Sequence, residues 1–293
     1  MNQREYDVPA ARISCEAVLL RAGAADAALF VLPGIDCKVD EMRALAQRLD
    51  GRAVYGLEMK FAGDRDASLA TVEEMGARAS TEIRSVQPNG PYHIAGYSFG
   101  GMIAFETALQ LNRSGARVAL LALIATPIAQ RYWPLLTLMR SVARRTLRHF
   151  GDLARRPMGA AGPLLAKRTM RVARLAAERL FPGSLLPVAP ASANAGQGSA
   201  TGHAAMEKYQ PGFYSGSLTF LQPAEDREFF CDFSRLWEGH AAQLDVQTFP
   251  TDHLGFVHDP EMVGLVAEFL DRRLRDSADP EPGPASLPRV ATS

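Results

Sequence analysis

Gly96-Tyr97-Ser98-Phe99-Gly100, a Gly-x-Ser-x-Gly, stands between two runs of different period. Residues 92–95 (Tyr-His-Ile-Ala) form a short apolar run that suits a buried strand. Residues 102–111 carry Ile103, Ala104, Ala108 and Leu111 at helical spacing. A strand that turns sharply into a helix leaves its apex residue strained, with the side chain pointing out of the sheet. Glycines at 96 and 100 remove the Cβ atoms that would collide there. The helix N-terminus then lies under Ser98, its N–H groups facing any negative charge that forms. This context reads Ser98 as a nucleophile.

Outward from that stretch, strands and helices alternate. Residues 13–22, 27–32, 53–57, 118–124, 218–222 and 244–249 read as strands; residues 39–49, 68–86, 229–237 and 260–274 read as helices. Thr71-Val72-Glu73-Glu74 has the form of a capping box. This alternation predicts an α/β fold: a mostly parallel central sheet with helices on both faces and its ligand site beyond the carboxyl ends of the strands. The rhythm breaks between 128 and 205. There a basic, helical pattern is followed by residues 184–203, rich in Pro, Ala, Gly and Ser and read as a loop or a partly disordered stretch. The expected organisation is a core of residues 1–127 and 206–275, a helical lid insertion over 128–205, and a disordered tail over 276–293.

A serine hydroxyl needs a base, and histidine is the usual one. Of six histidines, His253 follows the last predicted strand and so reaches the same sheet edge as Ser98; His258 is the fallback. The orienting acid should also lie at a strand end. Asp226, in the turn after residues 218–222, is the first candidate and its neighbour Glu225 the alternative, whereas Asp252 adjoins His253 and is poorly placed to face it. Two backbone N–H groups must hold the oxyanion. Phe99 supplies one, and the turn Pro33-Gly34-Ile35-Asp36 the other, through Ile35. A carboxylate at Asp36 is unfavourable near an oxyanion, so it is expected to point away and hold the loop.

The formal net charge is zero, yet the charge is segregated. Residues 131–179 hold twelve basic side chains against two acidic ones, a local charge of +10, which predicts one basic surface. Cys15, Cys37 and Cys231 are few and widely spaced and read as free thiols of a reducing cytoplasm. No apolar run approaches the length that spans a membrane, and nothing points to a nucleic-acid partner, a metal or a cofactor.

Residues 88–101, Pro-Asn-Gly-Pro-Tyr-His-Ile-Ala-Gly-Tyr-Ser-Phe-Gly-Gly, resemble the nucleophile motif of the thioesterase domains of nonribosomal peptide and polyketide synthases, an α/β-hydrolase family. Val54-Tyr55-Gly56-Leu57, Val72-Glu73-Glu74-Met75-Gly76, residues 209–216, Trp237 and His253 agree with it. The resemblance implies a serine thioesterase acting on an acyl chain held as a phosphopantetheine thioester on a carrier protein, docked by the basic lid. The chain opens with its own Met and shows no carrier module, so it is expected to act in trans. It departs from the family in two places. The first oxyanion loop lacks the family's histidine and paired glycines, and Ala125 stands where the family's triad aspartate is expected. Either the acid has moved to Asp226 or the triad is incomplete. A carboxylesterase or lipase on free esters, and a non-hydrolytic binding module, lyase or cyclase, stay open as alternatives.

Overall fold

The computed structural model of the chain describes residues 13–61, 70–133, five positions between 136 and 143, 197–224 and 232–278. Seven strands form one sheet: β1 (Ile13–Arg21), β2 (Ala24–Leu32), β3 (Arg52–Phe61), β4 (Tyr92–Tyr97), β5 (Val118–Ile124), β6 (Tyr214–Pro223) and β7 (Ala241–Phe249), in the order β1-β3-β2-β4-β5-β6-β7. Only β1 runs antiparallel, against β3; the other neighbours are parallel. The central strand β4 is buried at every position, which is why its sequence is a continuous apolar run rather than an alternation.

Two cores form, one on each face of the sheet. On one face lie α2 (Val72–Val86) and α3 (Phe99–Arg113), with Met75, Ile83, Ile103 and Phe105 against Phe30, Ile94 and Leu121. On the other lie α1 (Arg43–Ala46), entered through the 3-10 turn Val39–Met42, together with α6 (Gly255–His258) and α7 (Pro260–Ala278). Helix α3 is buried almost all round, between the sheet and α2, so its apolar residues do not keep to one stripe. The N-cap of α2 is as expected: Thr71 Oγ1 accepts from the Glu74 amide at 3.2 Å, one half of a capping box.

Several elements differ from the expectation. β3 runs on to Phe61, β6 begins at Tyr214 and α7 continues to Ala278. The helix expected over 39–49 is a 3-10 turn followed by a single α-turn. The largest correction falls on residues 184–203. A helix, α4 (Gln197–Lys208), occupies the end of that segment and crosses the expected lid boundary at 205. Its small residues suggest a loop, but they are what close approach requires. A Cβ on Gly202 would sit 2.8 Å from Ile35 Cδ1, and Ala205 is fully buried. Packing overrides propensity there. The short helix α5 (Ser234–Trp237) ends the segment expected over 229–237. The rest of the segment expected to form a lid, with most of its arginines, Cys231, and the tail beyond 278 lie outside the described residues. No helix among the described residues is long and apolar enough to cross a membrane.

Candidate active site

β4 delivers Ser98 to the carboxyl edge of the sheet, where it is the residue before α3. Its backbone sits at φ 53°, ψ −120°, a left-handed conformation that an L-residue adopts only under constraint. The constraint is visible around it. The Ser98 amide donates to Ile124 O on β5 at 2.8 Å, and the Gly101 amide donates to Ser98 O at 3.1 Å. A Cβ on Gly96 would fall 2.3 Å from Gly100 O. One on Gly100 would fall 2.1 Å from Pro33 O, and one on Gly101 1.8 Å from Thr126 Oγ1. The glycines therefore serve two contacts: the turn itself, and the close passage of α3 beneath the ends of β2 and β5.

His253 comes from 155 residues further on, in the loop after β7, and its Nε2 lies 3.0 Å from Ser98 Oγ. That is the separation at which an imidazole takes a hydroxyl proton. The loop is held from behind by Tyr97. The Tyr97 hydroxyl donates to His253 O at 3.0 Å, and its ring centre lies 5.2 Å from the imidazole. Tyr97 is buried, being an inward residue of the Gly-x-Ser-x-Gly itself.

Three other histidines lie elsewhere. His258 is exposed at the end of α6. His240 faces Gly212 O at 3.0 Å. His93 is buried within β4, where no described group makes a well-formed hydrogen bond to its ring although Ala28 O is near. Burial and the neighbouring Arg52 push its pKa down to about 4. Asp252 Oδ1 accepts from the Gly255 amide at 3.0 Å and so starts α6. Asp226 and Glu225 lie outside the described residues. Ala125 follows β5, fully buried, at φ 48°, with its amide donating to Leu221 O at 2.8 Å.

Phe99, next to Ser98, is the first residue of α3, and Ile35 sits in the turn after β2. In that turn the Cys37 amide donates to Gly34 O at 3.0 Å, and Cys37 takes φ 58°. Asp36 is exposed and does not hold the loop; the Gly34 amide instead donates to Glu41 Oε1, a residue the sequence reading passed over. Burial pushes the Cys15 and Cys37 thiols up to about 12, so neither offers a thiolate. Apart from the glycine spacing, Tyr97 and Glu41 carried no signal in the sequence: Tyr97 meets a residue 156 positions away, and Glu41, only seven positions from Gly34, lies in a segment whose pattern reads as a regular helix.

A family model described as "Thioesterase domain" matches residues 27–274. Among known proteins, indigoidine synthase of Streptomyces lavendulae is 37% identical over 94 residues, 32% of this chain and 7% of that protein. The dimodular nonribosomal peptide synthase of Bacillus subtilis (strain 168) is 39% identical over 71 residues, 24% of this chain and 3% of that protein. The chain spans less than a tenth of the length of the curated relatives it matches. Among solved structures, the NocB thioesterase domain in covalent complex with a fluorophosphonate nocardicin G analogue superposes with a TM-score of 0.54 at 20% identity, covering 89% of this chain and 99% of that one. A four-domain nonribosomal peptide synthetase bound to AMP and glycine gives 0.58 at 20%, covering 91% and 20%. These likenesses carry the α/β-hydrolase-type fold, and the matched model carries the family: the chain belongs to the thioesterase domain family, an enzyme family.

Proposed function

We propose that the chain is a serine thioesterase that releases an acyl, peptidyl or polyketide chain from the phosphopantetheine arm of a carrier protein. The observation that carries the reading is the 3.0 Å approach of His253 Nε2 to a serine held at a strained strand-to-helix apex. His253 takes the Ser98 proton as Oγ attacks the thioester carbonyl. The tetrahedral oxyanion is received by the amides of Phe99 and Ile35, and the pantetheine thiolate leaves with the proton returned by His253. The acyl-Ser98 ester then passes to water, or to a nucleophile within the acyl chain, and the serine is restored. Asp226, or Glu225 beside it, supplies the carboxylate that orients His253. The twelve basic residues of 131–179 suit an acidic carrier surface.

Purified protein given octanoyl-pantetheine should release free thiol, faster than it cleaves the matching oxygen ester, and should take up a fluorophosphonate at Ser98. Preference for the oxygen ester without any carrier would favour a carboxylesterase. Failure to label Ser98 would favour a non-hydrolytic role, the reading to which Ala125 lends support.

A further inference from the structure

The turn after β2 is held by a side chain outside the Ser98, His253 and acid set. Gly34 is fixed on both sides: its amide donates to Glu41 Oε1, and its carbonyl accepts from the Cys37 amide at 3.0 Å. In a trans peptide the carbonyl and the following N–H point in opposite directions. With the Gly34 carbonyl turned toward Cys37, the Ile35 N–H is turned the other way. Further contacts lock the same geometry. Cys37 Sγ lies 3.9 Å from Ile35 O, and the Met59 amide donates to Cys37 O at 3.4 Å.

Glu41 is itself firmly placed. It belongs to the 3-10 turn Val39–Met42, whose Val39 and Met42 are buried in the second core. Burial pushes its carboxyl pKa up, the Gly34 hydrogen bond and His258 push it down, and Asp36 adds repulsion. Tyr97 also approaches Gly34. A Cβ at Gly34 would stand 3.0 Å from Glu41 Oε1 and 3.3 Å from the Tyr97 ring. Gly34 thus lies against both Glu41 and the residue that holds the His253 loop, with no room for a side chain.

We infer that Glu41 is a positioning residue for the thioester chemistry: by accepting from the Gly34 amide it aims the neighbouring Ile35 N–H at the oxyanion. The inference rests on the thioesterase reading, and its test is separable from that reading. Three variants divide the possibilities. Glu41→Ala removes the acceptor. Glu41→Asp keeps the charge but falls a methylene short of Gly34. Glu41→Gln keeps an acceptor oxygen without the charge. The readouts are kcat and KM on octanoyl-pantetheine, and the inhibition constant of an alkyl boronic acid, whose tetrahedral adduct on serine places an anionic oxygen where the oxyanion forms.

A misaimed donor should lower kcat by about tenfold to a hundredfold in Glu41→Ala and Glu41→Asp, with KM within about twofold. The boronate constant should rise by the same factor. Glu41→Gln should stay within about twofold of the parent, because the hydrogen bond survives. Unchanged kcat and boronate binding in Glu41→Asp overturns the inference, even if Glu41→Ala fails to fold. A loss in Glu41→Gln equal to that in Glu41→Asp overturns it too, since charge and not the hydrogen bond would then matter. If the parent protein neither labels at Ser98 nor turns over the thioester, it is the thioesterase reading that fails.

Discussion

Ser98 and Ala125 occupy equivalent places on neighbouring strands. Each follows the last residue of a paired couple, Tyr97 on β4 and Ile124 on β5, and each stands at positive φ, 53° and 48°. One end carries the hydroxyl of the proposed nucleophile; the other carries a methyl group in a backbone conformation that suits Asp or Asn better than Ala. The difference shows that the scaffold keeps a shape independently of the chemistry mounted on it. At the β4 end the shape is enforced by surrounding backbone. At the β5 end the shape persists around a methyl group, and in the proposed function the orienting role falls to Asp226 or Glu225 instead.

The largest effect that sharpens this contrast concerns the acid. Asp226→Asn should lower kcat by about 10³ to 10⁴, the cost of leaving the base in the wrong tautomer. Adding Ala125→Asp to that variant should recover at least about tenfold, since Asp tolerates the left-handed backbone already present. Equal turnover in Asp226→Asn and the parent would move the role to Glu225, tested by Glu225→Gln in the same assay.

A stability comparison follows. Gly100→Ala sets a Cβ 2.1 Å from the Pro33 carbonyl, which cannot yield as a side chain would. A loss of about 3 kcal/mol or more is expected in denaturant unfolding. Ala125→Gly should change little: relief of about 1 kcal/mol of left-handed strain is offset by about 0.8 kcal/mol for the buried methyl. A large loss at 125 and none at 100 would reverse the contrast.

His93, within β4 itself, predicts a pH effect. Its folded pKa of about 4 lies below the ordinary 6.5, so the unfolded chain binds more protons between those values. Its contribution is complete above pH 6.5 and is lost as pH falls toward 4, about 3 kcal/mol in all. His93→Leu should flatten the acid side of the stability curve; an unaltered slope would contradict a buried neutral imidazole. The smallest effect is that of Tyr97→Phe, which removes the hydrogen bond to the His253 carbonyl. A loss of about 1 kcal/mol corresponds to roughly fivefold in kcat, with KM unchanged.

The apex was legible in the sequence because its determinants are local: an apolar strand, two glycines at fixed spacing and a helix pattern within some twenty residues. His253 was legible by its place after the last strand. What holds them was not. Tyr97 meets His253 across 156 residues of chain, and Glu41 lies on a 3-10 turn that the helical pattern of 39–49 disguised. Asp36 drew attention as the obvious carboxylate of the loop, yet it faces solvent, because the turn at Gly34 to Cys37 directs the amide of Gly34 toward Glu41 instead. Helix α4 was hidden by the small residues that let it lie on Ile35. For Tyr97 and for α4 the deciding contact is made by tertiary packing, which no window of sequence contains; for Glu41 it is a turn geometry that the helical pattern concealed.

The central claim is that the Ser98 oxygen becomes the acyl carrier once His253 takes its proton. Rapid-quench peptide mass mapping during turnover of octanoyl-pantetheine tests it directly. An octanoyl adduct on Ser98 is predicted, absent in Ser98→Ala and formed at least about 10³-fold more slowly in His253→Ala. Thioester cleavage that persists in Ser98→Ala, or an adduct that forms equally fast without His253, would contradict it.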